Sequence, residues 1–369
     1  MSQAATVDQL LNSREIVQMF EHAKQLAPSA GSGDTQIFER FLNEYADLAG
    51  QVINALIPTG THVDMERYLY GPLLQYSENG GKRHRPLICV AAAHAVGGDH
   101  RRAFSSAAAI EHFHTAALIH DDIADEAELR RGEPCMHLRI GEGLAINAGD
   151  LALSIVNGIV MRDPLLDDAT KVRVALELVS MAQYTVEGQA LDIGWAKDGR
   201  YDLALEDYFT MAIHKTAHYS GAVPLAVGAI VGGGSEEQIE GLRQFGLDTG
   251  LAFQIQDDVL NLVGTEEQTK KDFRNDITEG KRTLIVVHAL THSPERDRLI
   301  ELLSARTKDQ ALLEEAVDIM EKAGSIQYAR EYAEQLVQGA KERLLAVVDP
   351  SISRDLLESM ADWFVERLQ

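Results

Sequence analysis

The sequence predicts an all-α protein built as one large helical bundle. Apolar residues recur every three or four positions along nearly the whole chain, which is the periodicity of amphipathic helices. No run of alternating β-branched residues is bounded by hairpin turns, so strands are not expected. The breaks between helical segments, such as Gly97-Gly98 and Asp349-Pro350, are short. With 369 residues, 45% hydrophobic and 25% charged, the chain can bury a large core.

The first element is a short amphipathic helix, predicted from the apolar spacing between Ser13 and Leu26. Residues 27–36 follow with several helix breakers (APSAGSGDTQ), a composition typical of a flexible connector. We therefore expect residues 1–36 to form a helical appendage with its connector. Since no second linker of this kind interrupts the rest, residues 37–369 are expected to form a single domain.

The charge balance excludes some classes of partner. Thirty-four Lys and Arg residues against 57 Asp and Glu residues give a formal net charge of −23, which repels nucleic acid and anionic membrane surfaces. The longest weakly polar stretch, residues 221–234, contains Pro224 and is too short to cross ~30 Å of hydrocarbon. We expect neither a nucleic-acid partner nor a transmembrane segment.

The cysteines and the N-terminus bear on cellular location. Cys89 and Cys135 have no spacing typical of a disulfide framework or a metal site, which fits a reducing compartment. Asp8, Glu15 and Glu21 occupy the N-terminal stretch, and no apolar signal-peptide core is present there. The sequence therefore predicts a cytoplasmic protein.

The first chemically informative element is a helix predicted over the acidic segment from residue 111. Asp121 and Asp125 are four residues apart and share a face, Asp122 lies beside them, and His114 precedes them at nearly the same angle. Carboxylates this close repel one another, and a bound divalent cation relieves the repulsion. Oxygen ligands suit Mg²⁺, which shares its coordination with substrate phosphates. A solvated acidic face is the alternative, and this motif alone does not decide between the two.

A second acidic helix is predicted from residue 253. Gln254, Asp257, Asp258 and Asn261 fall on one face, while the positions between them are apolar, so most of this helix is buried. Carboxylates on a buried helix need partners or a metal. Two such clusters on facing helices of a bundle would enclose a site for several cations.

Basic residues lie in sequence next to both acidic helices. In a chain of charge −23 they are local exceptions, although ordinary surface charge is the alternative for each one. Arginine matches phosphate oxygens with two parallel hydrogen bonds, and lysine acts as a point charge. Acids and bases together therefore indicate a site for diphosphates. The basic residues are Lys82, Arg85, Arg130, Arg131, Lys215, Lys271 and Lys281.

These motifs occur in a fixed order between about Leu69 and Lys281: GGKRHRP, then HTAALIHDDIAD with LRRG, then the pair Lys215-Thr216, then FQIQDDVLN with KDFRNDITEGK. The set resembles the trans-isoprenyl (polyprenyl) diphosphate synthases and is closest in pattern to their geranylgeranyl members. The resemblance implies the isoprenoid synthase fold, an all-α bundle around a deep central cavity, usually a homodimer. It also implies Mg²⁺-dependent condensation of isopentenyl diphosphate with an allylic diphosphate (dimethylallyl, geranyl or farnesyl).

The resemblance further implies a role for each matching residue. The catalytic set would be Asp121, Asp122, Asp125, Lys215, Thr216, Gln254, Asp257 and Asp258. Of these, Asp121, Asp125 and Asp257 would hold the Mg²⁺ ions, three per site, while Thr216 and Gln254 would line the space where positive charge develops. Isopentenyl diphosphate would be bound by Lys82, Arg85, His114 and Arg131. The allylic diphosphate would be bound by Arg130, Lys215 and Lys271, with Lys281 nearby. No general base is obvious, and the departed diphosphate is the expected proton acceptor.

Three residues depart from the family pattern. Asn261 replaces a third aspartate of the second acidic motif, which lowers the charge there but leaves an oxygen ligand. Lys270 and Arg274 replace glycines in the segment that follows, as in eukaryotic-type geranylgeranyl enzymes.

Side chains along the first acidic helix are expected to set the length of the product. Phe113, Ala117 and Asp121 are spaced at four residues, so they are expected to stack along one side of the helix. Ala116 and Ala117, where the family blocks short chains, are too small to stop a growing tail. Phe113 is the first large side chain, about 12 Å of helix rise from Asp121. This predicts a twenty-carbon geranylgeranyl product; a longer polyprenyl or a farnesyl product is the alternative.

Two other classes of function remain as alternatives. A terpene cyclase would share the bundle and the Mg²⁺ carboxylates, but it ionises one diphosphate and has no use for the GGKRHRP motif and Arg131. A catalytically silent partner subunit would keep the fold and lose the carboxylates, whereas both acidic motifs are present here.

Two polar features have structural explanations. Asp167 precedes a helical run and is expected to be its N-cap. A zinc site formed by His112, His114 and His120 would need two imidazoles on one helical face, and spacings of two and six do not allow this. His112 is therefore expected to be an ordinary satisfied or surface histidine.

Overall fold

The computed structural model describes residues 3–27, 35–264 and 274–366, and these residues form an almost entirely helical bundle. The prediction of an all-α fold is confirmed, since the only sheet within those ranges is a two-stranded hairpin. Its strands, β1 (Leu129–Arg130) and β2 (Glu133–Pro134), pair antiparallel. The hairpin was not expected, because two-residue strands leave no alternating pattern in a sequence.

The helices follow one another with short connections. The first part of the chain contains α1 (Gln3–Leu11), α2 (Arg14–Val17), α3 (Met19–Leu26), α4 (Ile37–Ala55), α5 (Val63–Met65), the π-helix π1 (Glu66–Tyr70), α6 (Gly71–Glu78), α7 (His84–Ala95) and a 3-10 turn (His100–Ala103). The middle contains α8 (Phe104–Ala124), α9 (Met136–Ile140), α10 (Glu142–Met161), α11 (Asp168–Lys197), α12 (Leu205–Ala212), the π-helix π2 (Ile213–Ala222), α13 (Val223–Gly232) and α14 (Glu236–Val263). The last part contains α15 (Asn275–Glu279), α16 (Leu284–His292), α17 (Arg296–Ala305), α18 (Gln310–Lys322), α19 (Ser325–Val347) and α20 (Ile352–Val365).

Side-chain caps fix where the long helices begin. Asp167 accepts a hydrogen bond from the Thr170 backbone N–H at 2.8 Å, which confirms it as the N-cap of α11. Ser235 and Gln238 form a reciprocal capping box at the start of α14. Since α14 carries the second acidic motif, this cap fixes the start of the helix that presents those carboxylates.

Glycines allow π2 to lie in direct backbone contact with two helices. A Cβ added to Gly221 of π2 would lie 2.0 Å from the Gly246 carbonyl oxygen of α14. A Cβ added to Gly188 of α11 would lie 2.2 Å from the Lys215 backbone nitrogen. Real Cβ atoms do not approach this closely, so only glycine fits at these positions. The backbone of the Lys215-Thr216 segment is therefore held tightly against both α11 and α14.

The N-terminal helices pack into the main hydrophobic core. Ile16, Met19 and Phe20 are at most 2% exposed and belong to the same buried cluster as α8 and α14. The Phe20 ring stacks on His94 of α7 with centroids 4.0 Å apart. The connector expected at residues 27–36 lies partly outside the described residues, and the domain boundary after residue 36 stays a prediction.

Within the described ranges, one helix meets the length and composition of a membrane span. It is α10, whose apolar window has a mean hydropathy of 1.6 and is 44% buried inside the protein. This helix packs along α8. A buried core helix meets the same criteria, so a single such helix is weak evidence for a membrane span.

Buried His112 is expected to make the fold acid-sensitive. Its ring is fully buried in α8, and Nε2 donates to the Ile53 carbonyl oxygen at 3.2 Å. Burial lowers its pKa from 6.5 to about 4. Between those values the unfolded chain binds a proton that the folded chain does not, so stability falls as pH falls through this window. We expect His112 to account for about 2 kcal/mol of the stability difference between pH 7 and pH 5.

The measurement is urea unfolding at pH 7 and pH 5. His112→Gln keeps a donor toward Ile53 but cannot titrate, so its loss of stability at pH 5 should be smaller than that of the wild type. The matched control is His62→Gln, which removes a histidine whose side chain is 61% exposed and should leave the difference close to that of the wild type. Equal pH dependence in wild type and His112→Gln would contradict this account.

Candidate active site

The helices surround a central cavity of about 1030 Å³. Its walls include the last turns of α8 and α11, the π-helix π2 and the second half of α14. A volume of this size is at the upper end of the range for small-molecule sites. The predicted site residues that line it are Lys82, Arg85, His114, Asp121, Arg130, Lys215, Thr216, Gln254, Asp257, Asp258 and Lys281.

Asp121 is the cavity-lining carboxylate of the first acidic motif. Its Oδ1 accepts a hydrogen bond from the Gln189 amide of α11 at 2.7 Å. Burial opposes ionisation of Asp121, but Lys215 and Lys281 outweigh it and hold the pKa below its ordinary value. Asp125, at the end of the same helix, differs: burial and the nearby Asp121 charge raise its pKa to about 6. The two carboxylates therefore repel each other as the sequence predicts.

Asp122 is turned away from the cavity and holds Arg130 in place. The carboxylate is 1% exposed and accepts hydrogen bonds from Arg130 Nε at 2.7 Å and from the Tyr76 hydroxyl at 3.3 Å. Arg130 lies on β1 and lines the cavity. Asp122 therefore affects the cavity through Arg130. It follows Asp121 in sequence but lies on a different face of the helix.

The second acidic motif is organised by a chain of hydrogen bonds. The Thr216 hydroxyl donates to Gln254 Oε1 at 2.7 Å, and the Gln254 amide donates to Asp258 Oδ1 at 2.7 Å. The Tyr208 hydroxyl donates to the other Asp258 oxygen at 3.0 Å. Burial and the charge of Asp276 raise the pKa of Asp258 well above its ordinary value. Asp257 and Asp258 both line the cavity, on the wall formed by α14.

The residues that depart from the family pattern shape the end of this wall. Asn261 lines the cavity, and its Oδ1 accepts a hydrogen bond from the Asp276 backbone N–H at 3.2 Å. Arg274 has a left-handed backbone with φ of 60°, a conformation in which glycine is the usual residue. Lys270 and Lys271 lie outside the described residues.

Two lysines sit between the acidic walls. Lys215 of π2 forms an ion pair with Asp192 of α11, and Asp192 and Asp121 keep it protonated against the effect of burial. Lys281 contacts Glu279 at 2.5 Å and Asp125 at 3.7 Å. Both ammonium groups therefore lie close to the first acidic motif.

A separate basic group lines another part of the cavity. Arg85 donates to Ser220 Oγ at 2.8 Å, and its guanidinium lies 4.6 Å from the centre of the Tyr219 ring. His114 stacks on the same ring, with centroids 5.7 Å apart. Burial and Arg85 lower the pKa of His114 well below its ordinary value, so the ring is neutral. Its buried Nδ1 has no hydrogen-bond partner within the described part of the chain, which leaves it for a ligand.

Arg131 does not line the cavity, although the sequence predicts it as a ligand. Its backbone is left-handed, and its guanidinium donates to the Gly80 carbonyl oxygen. A Cβ added to Gly81 would lie 3.0 Å from an Arg131 nitrogen. Arg131 therefore braces the glycine pair that precedes Lys82 and Arg85.

Sequence reasoning missed three polar residues of the site. Gln189 and Asp192 on α11 contact Asp121 and Lys215, and Asp276 on α15 contacts Lys281. A signal was present for the first two: Gly188 interrupts a 30-residue helix, and glycine inside a helix needs a packing reason. That reason is the backbone contact with Lys215.

The residues present fit Mg²⁺. Asp121 and Asp257 line the cavity. Asp125 is not part of the lining but lies next to Asp121, and burial together with the Asp121 charge raises its pKa, which is a repulsion that a cation would relieve. Among the described residues, no three acidic, histidine or cysteine side chains could hold a metal ion by themselves. This suits a cation that completes its coordination with water and phosphate oxygens, as Mg²⁺ does.

A helical bundle with two carboxylate walls and a separate basic wall around one cavity defines a trans-prenyltransferase. The polyprenyl synthetase family profile matches residues 66–320, and the chain belongs to this family. It is 44% identical over 302 residues to a short chain isoprenyl diphosphate synthase of Methanothermobacter thermautotrophicus, covering 80% of this chain and 90% of that one.

Solved structures agree with this assignment. The geranylgeranyl pyrophosphate synthetase of Pyrococcus horikoshii matches with a TM-score of 0.81 and 36% identity, covering 89% of this chain and 98% of that chain. A geranylgeranyl pyrophosphate synthase of Corynebacterium glutamicum, complexed with isoprenyl diphosphate and magnesium, matches with a TM-score of 0.75 and 26% identity, covering 95% and 99%. The family resemblance, the fold and the enzyme class predicted from the sequence are confirmed.

Proposed function

We propose that this enzyme condenses isopentenyl diphosphate with an allylic diphosphate in the presence of Mg²⁺ to give all-trans geranylgeranyl diphosphate. The observation that carries the proposal is the division of one cavity into two binding regions. One region holds Asp121, Lys215 and Lys281, and the other holds Arg85 and the neutral His114. Two diphosphates can therefore be bound at once. A terpene cyclase would need only the first region.

Asp121, Asp125 and Asp257 would hold the Mg²⁺ ions, for which we propose three per site. Bound Mg²⁺ would neutralise the negative charge that develops on the allylic diphosphate as its bond to carbon breaks. Arg130, Lys215 and Lys281 would add fixed positive charge toward the same oxygens. Because Asp122 and Asp192 hold Arg130 and Lys215 in position, little reorganisation is needed during the reaction.

On the other side of the cavity, Arg85, Lys82 and His114 would bind isopentenyl diphosphate and orient its alkene toward the allylic carbon. Thr216 and Gln254 present neutral oxygen dipoles to the cavity, which stabilise positive charge without acting as bases. The proton lost after bond formation would pass to the departed diphosphate. The presence of both carboxylate clusters at the cavity argues against a catalytically silent subunit.

The test is direct. Purified protein is incubated with labelled isopentenyl diphosphate, farnesyl diphosphate and Mg²⁺, and the product is resolved by chain length. We expect one twenty-carbon product that disappears when EDTA is added. Consumption of farnesyl diphosphate without incorporation of label would indicate a cyclase, and no consumption at all would indicate a silent subunit.

We also propose that the enzyme is a cytoplasmic homodimer. The face of α11 opposite the core carries aliphatic side chains that are 43–67% exposed. They recur at helical spacing, which is typical of a surface covered by a second helix in an assembly. The family resemblance implies a second copy of this chain as the partner, and sedimentation at micromolar concentration would reveal it. The exposed residues are Val172, Leu176, Val179, Val186 and Ile193.

The residues expected to limit product length lie on α8 beside the cavity. Phe113 is 3% exposed, and its ring meets Tyr219, a cavity-lining residue, edge-on with centroids 5.9 Å apart. Ala116 is fully buried and Ala117 half-buried on the same helix, and Leu118 lines the cavity. We expect Phe113→Ala to lengthen the product, because it removes the support behind Tyr219, and Ala117→Phe to shorten it.

The products of both variants are compared with the wild type by reversed-phase chromatography after removal of the diphosphate. Ala311→Phe, at an exposed position of α18 that neither lines the cavity nor belongs to the apolar stripe of α11, is the matched control for the added ring. An unchanged distribution in both site variants would show that the limit on length lies elsewhere.

A further inference from the structure

The start of α4 and the end of α20 meet at the active-site cavity. Thr35, just before α4, and Glu39, in its first turn, line this part of the cavity, here called the mouth, together with Trp363 and Glu366 at the end of α20. Ser359 of α20 joins the two segments. Its hydroxyl donates to the Thr35 carbonyl oxygen at 2.9 Å and accepts from the Phe38 backbone N–H at 3.1 Å. The mouth therefore includes residues far outside the motifs that identify the family.

Trp363 and Lys82 both line the mouth and contact each other. The Lys82 ammonium lies 4.6 Å from the centre of the indole ring, which is a cation-π contact. The indole itself is 7% exposed and fixed by aromatic neighbours, with Phe38 at 5.5 Å and Phe364 at 5.7 Å between ring centroids. Its ring plane is therefore set by packing before any ligand binds.

The backbone on either side of Lys82 is also fixed. Gly81 and Arg83 both have positive φ, of 144° and 49°. Arg83 is buried and forms an ion pair with Glu111 of α8 at 2.6 Å. With the backbone held, only the conformation of the four-carbon side chain of Lys82 can still change. A lysine side chain loses considerable rotamer entropy when it is confined. A partner that confines it in advance lowers that cost at the moment of binding.

We propose that Trp363 is a positioning residue for isopentenyl diphosphate, holding the Lys82 ammonium over its indole face so that it points into the second binding region. The inference rests on the proposed role of Lys82 in binding this substrate. An aromatic face attracts an ammonium without neutralising its charge, so the full positive charge remains available to a diphosphate. Trp363 acts on the substrate through Lys82 and not by direct contact.

Steady-state kinetics with each substrate varied in turn provide the first readout. Trp363→Leu should raise the KM for isopentenyl diphosphate about five- to tenfold and leave kcat and the allylic KM within about twofold. Trp363→Phe keeps a smaller aromatic face and should have an intermediate effect. In a Lys82→Met background, adding Trp363→Leu should produce no further change, since the partner is already absent.

Fluorescence provides a second readout that a purely structural role would not give. The chain has two tryptophans, so Trp195→Phe leaves Trp363 as the only emitter and also serves as the matched activity control. Isopentenyl diphosphate should change the emission of this variant, and Lys82→Met should abolish the change. Thermal melts of each variant confirm that it is folded before the kinetics are compared.

The outcomes separate this inference from the proposed function. If Lys82→Met leaves the KM for isopentenyl diphosphate unchanged, the proposed role of Lys82 is wrong. If Lys82→Met raises that KM but Trp363→Leu does not, only the positioning role is overturned. A further rise on adding Trp363→Leu to Lys82→Met would likewise overturn it, because Trp363 would then act through packing alone.

Discussion

Replacing Asp121 with asparagine is expected to lower turnover about a thousandfold and leave the protein folded. Asparagine keeps an oxygen that can accept the hydrogen bond from Gln189, so the local packing is preserved. It removes the negative charge that Lys215 and Lys281 stabilise in this carboxylate. Without that charge, the first cluster cannot hold a divalent cation against the diphosphate. The measurement is the rate of label incorporation at saturating substrates and Mg²⁺.

Asp125→Asn separates activity from stability in the same cluster. Its carboxyl has a pKa of about 6 because burial and Asp121 disfavour the charged form. At pH 8, removing this charge should stabilise the metal-free protein by about 1–2 kcal/mol while activity is lost. Asp121→Asn should show no such gain. Urea unfolding in EDTA measures the difference.

The control for both is Asp168→Asn, which neutralises an exposed carboxylate at the start of α11. Its turnover should be that of the wild type. Near-normal turnover in Asp121→Asn would exclude the proposed mechanism. Loss of turnover together with loss of the helical circular dichroism signal would mean that the cluster is needed for folding.

Lys215→Met is expected to lower kcat at least about a hundredfold and to raise the KM for the allylic substrate. Its ammonium lies between Asp192 and Asp121, at the region where we place the departing diphosphate. Arg85→Met should affect the other substrate. It should raise mainly the KM for isopentenyl diphosphate, because Arg85 lies beside His114 and Tyr219. Kinetics with each substrate varied in turn measure both effects.

The Lys215 variant needs a control for folding. Asp192 is 6% exposed, so removing Lys215 leaves a buried carboxylate without its cation, which is destabilising. The double variant Lys215→Met/Asp192→Asn removes both charges and should restore stability but not turnover. Lys197→Met, at an exposed position of α11, is the matched control. Equal rises of both KM values in Lys215→Met and Arg85→Met would contradict two separate regions.

Sequence periodicity predicted the helices that carry the chemistry but not the contacts between them. The spacing within α8 and α14 placed Asp121 and Gln254 correctly on buried helices. The role of Asp122 could not be obtained in this way, because its partner Arg130 reaches it only through a two-residue hairpin with no pattern of its own. Local spacing specifies a face of a helix, whereas the partner of that face depends on tertiary packing.

Tertiary packing, which local spacing does not specify, also explains where the structure differs from the sequence predictions at Lys215, Arg131 and the N-terminal helices. The segment that carries Lys215 and Thr216 is a π-helix, whose wider turn shifts side chains relative to the α-helical spacing assumed from sequence. Arg131 carries the expected charge, but its left-handed backbone directs it to Gly80. The apolar stripe from Ser13 to Leu26 was recognisable, whereas its burial against α7 is a long-range contact that no local pattern encodes.

The glycine contacts around π2 also determine where this enzyme is stiff. At Gly221 and Gly188 the main chains of three helices touch with no side chains between them, and such close-packed backbone has little room to yield. The contact between the start of α4 and the end of α20 is different, because side chains mediate it: the Ser359 hydroxyl bonds to the α4 backbone, and Phe38 packs on Trp363. We therefore expect the small movements that admit substrates to occur at this side-chain contact. The wall beside Lys215 should stay rigid and hold the ionising bond in a fixed position.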